Sequence, residues 1–270
     1  FLPSWIGDTC MATPTLKSVR VGLPSAHIVG IAKPGPTNLL ECSPLIDQWI
    51  TYQSRNRKCL IQKLKDANLD AVLLLTNSFS TAAIAWMSRI PKRIGYRGNM
   101  RSWLLTHPVE AIKPESTEAE IPLVDSYLKL AASLGVEATD RRMVLDVSPL
   151  EQARATKILK SIGFDSTRPL VVINNAAASA ISRVWPSQYL VHLCRQLAVG
   201  MKCQVLLHCG PQDRGVANAV CEQVKNPLVR SMGEWHDLPL SLSVAVISQA
   251  TVVVSSDSGP RHIAAALDRK

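Results

Sequence analysis

Short apolar runs alternate with amphipathic stretches along this chain, a rhythm that fits a parallel β-sheet with helices on its faces and few other folds. The runs predict strands over 26–32, 48–52 and 70–76, with helices over 9–20, 55–67, 80–88 and 122–134. After a polar, mixed stretch at 135–168 the rhythm restarts. It predicts a strand over 170–174 and a helix over 186–198 with Leu190, Leu193 and Leu197 on one face. A strand over 202–208, a turn at Gly210 and a helix striped by Val216, Val220 and Val224 come next. A helix over 241–249 and a buried strand over 251–255 complete the pattern. The class is α/β, and two doubly wound domains, 1–150 and 151–270, fit better than one continuous sheet.

Of the 270 residues 47% are hydrophobic, enough to bury one large core or two medium ones. No apolar run approaches the length of a membrane span, and the first residues lack the pattern of a signal peptide, so a cytoplasmic location is expected. The 7 cysteines form no CxxC pair and no zinc spacing; they read as buried free thiols, and no metal site is expected. The net charge of +9 points to an anionic partner. Nucleic acid, an acidic lipid surface and a phosphorylated substrate all satisfy it.

Four segments can carry chemistry. The first, Pro3 to Asp8, lies between an opening strand stub and a helix, where an open parallel sheet places its ligands. Asp8 there is either a helix cap or a carboxylate facing the crevice. The second is a loop of small residues, Ala176 to Ala180 with Ser179 among them, that leads to Arg183-Val184-Trp185-Pro186 and a helix start. Small side chains let backbone N–H groups approach a phosphate, and Arg183 adds a forked cation. The third, Ser255 to His262, follows an apolar strand. Asp257 or Ser258 can cap the next helix, or the turn with Gly259 and His262 can hold an anion. The fourth is the basic cluster Lys92, Arg93, Arg97 and Arg101, interleaved with Gly95 and Gly98. It reads as a solvated face or as a loop wrapping an anionic ligand; no nucleic-acid module surrounds it. Neither a GxGxxG fingerprint nor a P-loop is present, which disfavours an oxidoreductase or an ATPase.

Together these segments resemble glycosyltransferase family nine, the ADP-heptose-using lipopolysaccharide heptosyltransferases. The resemblance rests on Pro3-Ser4-Trp5-Ile6-Gly7-Asp8 with Pro14 and Leu16, on Thr76-Asn77-Ser78-Phe79-Ser80, and on Ile90-Pro91-Lys92-Arg93-Ile94-Gly95-Tyr96. Arg183-Val184-Trp185-Pro186, Gly210-Pro211-Gln212-Asp213 and Asp257-Ser258-Gly259-Pro260 with His262 to Ala266 add to it. The middle pattern is similar to the heptosyltransferase II branch. The resemblance departs at Ala176, where the family has glycine, and at Arg183, where it has lysine. After Lys270 the family continues with a further strand and helix, which implies a truncated second domain.

What the resemblance implies is a GT-B fold, two Rossmann-like domains facing a cleft, with no cofactor or metal because the ADP-sugar is a substrate. It makes Asp8 the catalytic base. It assigns Ser179, Arg183, Asp213, Asp257, Ser258, Gly259 and His262 to the donor ADP-heptose, and Lys92, Arg93, Arg97 and Arg101 to an anionic lipid A–inner-core acceptor. Peripheral contact with the inner face of the inner membrane follows, with no nucleic-acid partner. A truncated, non-catalytic nucleotide-sugar-binding relative and the same fold using another sugar donor are the alternatives.

Overall fold

A computed structural model describes residues 1–114, 116, 120–175 and 184–270. The chain forms two compact units, Phe1–Val144 and Leu145–Lys270.

In the first unit, β1 (Val29–Ala32) pairs in parallel with β2 (Gln48–Thr51). β3 (Ala71–Leu74), β4 (Lys92–Tyr96) and β5 (His107–Val109) form a second parallel set. The opening residues join the two. Leu2 N–H donates to the Ile31 carbonyl at 3.0 Å, Leu75 N–H donates to the Phe1 carbonyl at 3.1 Å, and the Phe1 amino group donates to the Leu73 carbonyl at 2.8 Å. With residues 1–2 between β1 and β3, the spatial order is that of a doubly wound sheet, and its switch point lies where residues 1–2 meet β3. The chain leaves this point into α1 (Ile6–Gly22), the helix that carries Asp8.

The sheet is covered on both faces, which is why its strands are apolar rather than alternating. Val72 and Leu74 pack with Leu60 and Leu64 of α3 (Arg57–Asp66) and Ile84 of α4 (Phe79–Met87). Leu73 and Leu75 face the other side, with Ala12 of α1 and Leu130 of α5 (Leu123–Ala132). A short helix, α2 (Pro34–Leu40), links β1 to β2. Pro14 sits inside α1, where it cannot donate to the Cys10 carbonyl. The Thr13 hydroxyl donates to that carbonyl instead, at 2.7 Å, and accepts from Val144 N–H at 3.0 Å.

Among the described residues the second unit has four parallel strands in the order β8-β7-β6-β9: β6 (Leu170–Asn174), β7 (Gln204–His208), β8 (Val229–Ser231) and β9 (Val252–Ser255). α6 (Pro149–Ser161) packs with α9 (Leu240–Ser248), and α7 (Ser187–Arg195) packs with α8 (Arg214–Val224). α10 (Gly259–Ala266) follows β9. β6 and β7 are buried at every position.

Several expectations need correction. The strand expected as buried over 251–255 is an edge strand, with Val252 37% exposed and the Lys270 carbonyl accepting from Val253 N–H. α7 buries Leu190, Val191 and Cys194, leaving Leu193 half-buried; a 3–4 spacing fits either stripe. In α8 it is Ala217, not Val216, that joins Val220 and Val224 inside. The stretch 135–168 contains α6, whose only buried residues are Ala155 and Leu159.

Candidate active site

Asp8 is the third residue of α1. The cap position belongs to Trp5, whose side chain makes no capping bond, so Asp8 is not the helix cap. Its carboxylate is half-buried and makes no hydrogen bond or ion pair among the described residues. Burial raises its pKa above the ordinary aspartate value, while the helix N-terminus favours the charged form. The Tyr127 hydroxyl is pushed well above its usual range, by burial first and then by the charge of Asp8. An unpaired carboxylate, partly desolvated, at the carboxyl edge of a doubly wound sheet is equipped to accept a proton.

The basic segment is not a loop. Lys92–Tyr96 is β4, held between β3 and β5. Lys92 opens the strand and Arg97 follows its end, so the two lie at opposite edges of the sheet, roughly 16 Å apart at about 3.3 Å per residue. Arg93 is tied to backbone: Nε donates to the Leu104 carbonyl at 2.7 Å and Nη1 to the Ile90 carbonyl at 2.6 Å. Arg101 is only 1% exposed. Its guanidinium donates to the Tyr96 and Thr76 carbonyls and to Asn77 Oδ1. The turn before it is left-handed at Gly98 (φ 114°), Asn99 (φ 50°) and Met100 (φ 54°), which swings Arg101 back under the strand ends. Gly95 leaves the space: a Cβ there would stand 3.5 Å from Arg101 Nη2 and 3.2 Å from Leu74 Cβ. Arg93 therefore braces the amino ends of β4 and β5, Arg101 braces the carboxyl ends of β3 and β4, and both guanidinium groups are committed to these bonds. Arg97 is exposed and paired with Glu110 at 2.9 Å.

The second unit brings polar side chains together at its own switch point, between β6 and β9. Asn174 ends β6 and is 3% exposed. Its Nδ2 donates to Ser258 Oγ at 2.8 Å and to Ser255 Oγ at 3.2 Å, while Oδ1 faces His208 Nδ1 at 3.2 Å. Burial pushes the His208 imidazole down to about 4, so it is neutral at pH 7. The network assigns its proton to Nδ1, and Nε2 has no partner among the described residues.

Ser258 is the cap residue of α10, yet its hydroxyl is given to Asn174 rather than to the helix N–H groups. Those groups stay available to an anion. Asp257 pairs with Arg261 at 2.9 Å across one turn, and does not cap the helix. His262 is half-buried, and burial, then the Arg261 charge, hold it below the usual histidine range. Gly259 is the first residue of α10. Asp213 occupies the cap position of α8 at the same carboxyl edge, again without a side-chain cap bond. Ser179 and Arg183 lie outside the described residues.

Beside this network is a cavity of about 450 Å³ lined by Asn174, Asn175, Trp185, Pro186, Val254 and Ser255 among others. Asn175 holds its rim by a reciprocal pair of 2.8 Å bonds with the backbone N–H and carbonyl of Trp185. The Trp185 ring stacks on Tyr189, with centroids 6.4 Å apart. Asn174, Asn175 and His208 were not anticipated as site residues; only their positions at strand ends could have signalled them. Among the described residues no group of three or more His, Cys, Asp or Glu could hold a metal ion.

Two parallel, doubly wound units, the second with a helix start that has no side-chain cap bond, make a Rossmann-like α/β protein of the GT-B type. The chain belongs to glycosyltransferase family 9 (heptosyltransferase), whose sequence pattern matches residues 57–270. It is a heptosyltransferase-type glycosyltransferase of lipopolysaccharide biosynthesis. It is 28% identical to lipopolysaccharide heptosyltransferase 2 of Salmonella typhimurium, covering 99% of this chain and 79% of the relative. It is 25% identical to the protein of that name from Escherichia coli K12, with the same coverage. The solved structure of E. coli ADP-heptose lipopolysaccharide heptosyltransferase II superposes with a TM-score of 0.79 at 27% identity, covering 99% of this chain and 81% of that one. A family 9 glycosyl transferase from Veillonella parvula gives 0.84 at 20% identity, covering 100% and 77%. The heptosyltransferase II resemblance in the sequence is thereby borne out.

Proposed function

We propose that the chain transfers heptose from ADP-heptose to the lipopolysaccharide inner core by inverting direct displacement, with Asp8 as the base. The observation that carries the reading is the state of Asp8: a half-buried carboxylate with raised proton affinity and no partner among the described residues, at the start of the helix that follows the switch point. The acceptor hydroxyl gives its proton to the Asp8 carboxylate as its oxygen attacks the anomeric carbon. The bond from that carbon to the diphosphate breaks, and ADP leaves with the electron pair. Charge growing on the leaving group is met by Arg183 and by the uncapped start of α10 at Ser258 and Gly259. Neutral His262 supplies one N–H donor, and Ser179, Asp213 and Asp257 belong to the same donor side. The reading calls for no cofactor and no metal.

The acceptor is an anionic lipid A–inner-core saccharide at the inner face of the inner membrane. Of the four basic residues named for it, Arg97 combines exposure with the carboxyl edge of the sheet, and it is the one we assign to acidic groups of the acceptor. ADP release with ADP-heptose and a lipid A–inner-core acceptor tests the reading. Asp8→Asn is expected to bind ADP normally and to lose about a hundred- to ten-thousandfold in turnover. Near-normal turnover refutes Asp8 as base, and release from a different nucleotide-sugar alone refutes the donor.

A further inference from the structure

α4 lacks the polar outer face of an ordinary surface helix: Ala82, Ile84 and Ala85 pack in the core, and the opposite side is apolar too. Phe79, Trp86 and Met87, at helical spacing, make an outward stripe that is apolar, and the helix contains no charged residue. Phe79 is 46%, Trp86 49% and Met87 41% exposed. Trp103, 67% exposed, lies along the stripe with its ring centroid 6.4 Å from Phe79 and 6.0 Å from Trp86. Met100, 87% exposed, stands on the left-handed turn beside it. Single exposed apolar residues are commonplace, but a contiguous group of two indoles, a phenyl ring and thioethers marks a contact surface.

The charges around the stripe say what covers it. α3, which packs alongside α4, carries Arg57, Lys58, Lys63 and Lys65 against one acid, Asp66, and Arg55 precedes it. Arg89 and Lys92 follow α4. All seven cations are exposed. The ion pairs of this unit among the described residues involve Lys17, Arg20, His27, Arg97 and Arg141, and none of these seven. A second copy of the chain would set like charges rim to rim in a two-fold contact. Protein interfaces are depleted in lysine, whereas tryptophan with lysine and arginine is the composition of a surface at lipid headgroups. No helix of the described residues is long and apolar enough to cross a membrane.

We propose that the face formed by α4 and Trp103, bordered by the cations of α3, docks on an anionic lipid bilayer with its aromatic rings at headgroup level. The inference rests on the lipid-borne acceptor of the proposed function for its purpose, since docking brings the enzyme to the surface where that acceptor resides. Its test is independent of the reaction. The 270-residue chain is sedimented with phosphatidylethanolamine vesicles made with or without phosphatidylglycerol and free of lipopolysaccharide. Binding is expected only with phosphatidylglycerol, weakening as salt rises, with tryptophan emission shifting to the blue. Trp86→Ser with Trp103→Ser is expected to weaken it at least about tenfold. Lys58→Gln and Lys65→Gln are each expected to weaken it about fivefold. Unchanged far-ultraviolet dichroism and melting certify the folding of each variant. Equal binding by all folded variants, no preference for phosphatidylglycerol, or a dimer that the tryptophan changes dissolve overturns the proposal. Transfer to a delipidated, water-soluble acceptor separates the two readings. Transfer without vesicle binding sinks the docking surface alone, and vesicle binding without transfer to any acceptor sinks the reaction alone.

Discussion

The side-chain amide of Asn174 donates to the hydroxyl of Ser258 across 2.8 Å, and so couples the end of β6 to the residue that opens α10. Removing the amide takes a donor from two serine hydroxyls, each of which keeps its own bond to the Ser256 carbonyl, and leaves His208 Nδ1 without its acceptor. Asn174→Leu is therefore expected to lower stability by about 2–3 kcal/mol in urea unfolding. ADP affinity, read by calorimetry, should fall with it. Ser258→Ala keeps the amide's bond to Ser255 and should lose about 1 kcal/mol or less.

The raised proton affinity of Asp8 fixes the sign of one pH effect. A base works ionised, so transfer is present above its pKa and is lost as pH falls through it. The acid limb of kcat/KM is expected to lie above the usual aspartate value of about 3.9. The same profile for Asp8→Asn should lack that limb; a limb that persists unchanged belongs to another group.

Arg101 is a buried cation bonded to carbonyls, and its substitution should be read in stability before activity. Arg101→Met leaves the Thr76 and Tyr96 carbonyls without donors and is expected to cost about 3 kcal/mol. Arg97→Gln, at an exposed ion pair, should change stability by about 0.5 kcal/mol or less. Thermal melting of both variants distinguishes the roles.

His208 gives the fold an acid weakness. Its imidazole titrates at about 4 when folded and near 6.5 when unfolded, so the unfolded chain binds the extra proton first. Stability is whole above about pH 6.5 and declines toward pH 4, by on the order of 3 kcal/mol. Unfolding midpoints across that window should show the slope in the native chain and less of it in His208→Gln.

How much of this was legible beforehand depended on burial. β6 runs over the predicted residues because Leu170 to Asn174 is buried on both faces and nothing polar interrupts it. β4 has the sequence of a loop because charges open it and only Ile94, Gly95 and Tyr96 are buried. Asp8 is legible as a position after an opening strand, but its release from the cap role depends on α1 starting at Ile6, three residues before the predicted start at 9. Arg101 looks like any surface arginine in sequence, since nothing local announces that three consecutive left-handed residues will turn it inward. Asn174 and His208 meet only because β6 and β7 pair in that register, a property of strand order rather than of either segment.

The Thr13 hydroxyl fastens residues at opposite ends of the first unit. Its O–H donates in place of the N–H that Pro14 lacks, and its oxygen accepts from the amide of Val144, the unit's last residue. A shortened version of this unit that stopped before Val144 would thus slacken the helix on which Asp8 rides, although the cut lies more than a hundred positions downstream. Any attempt to isolate the unit has to keep that final amide.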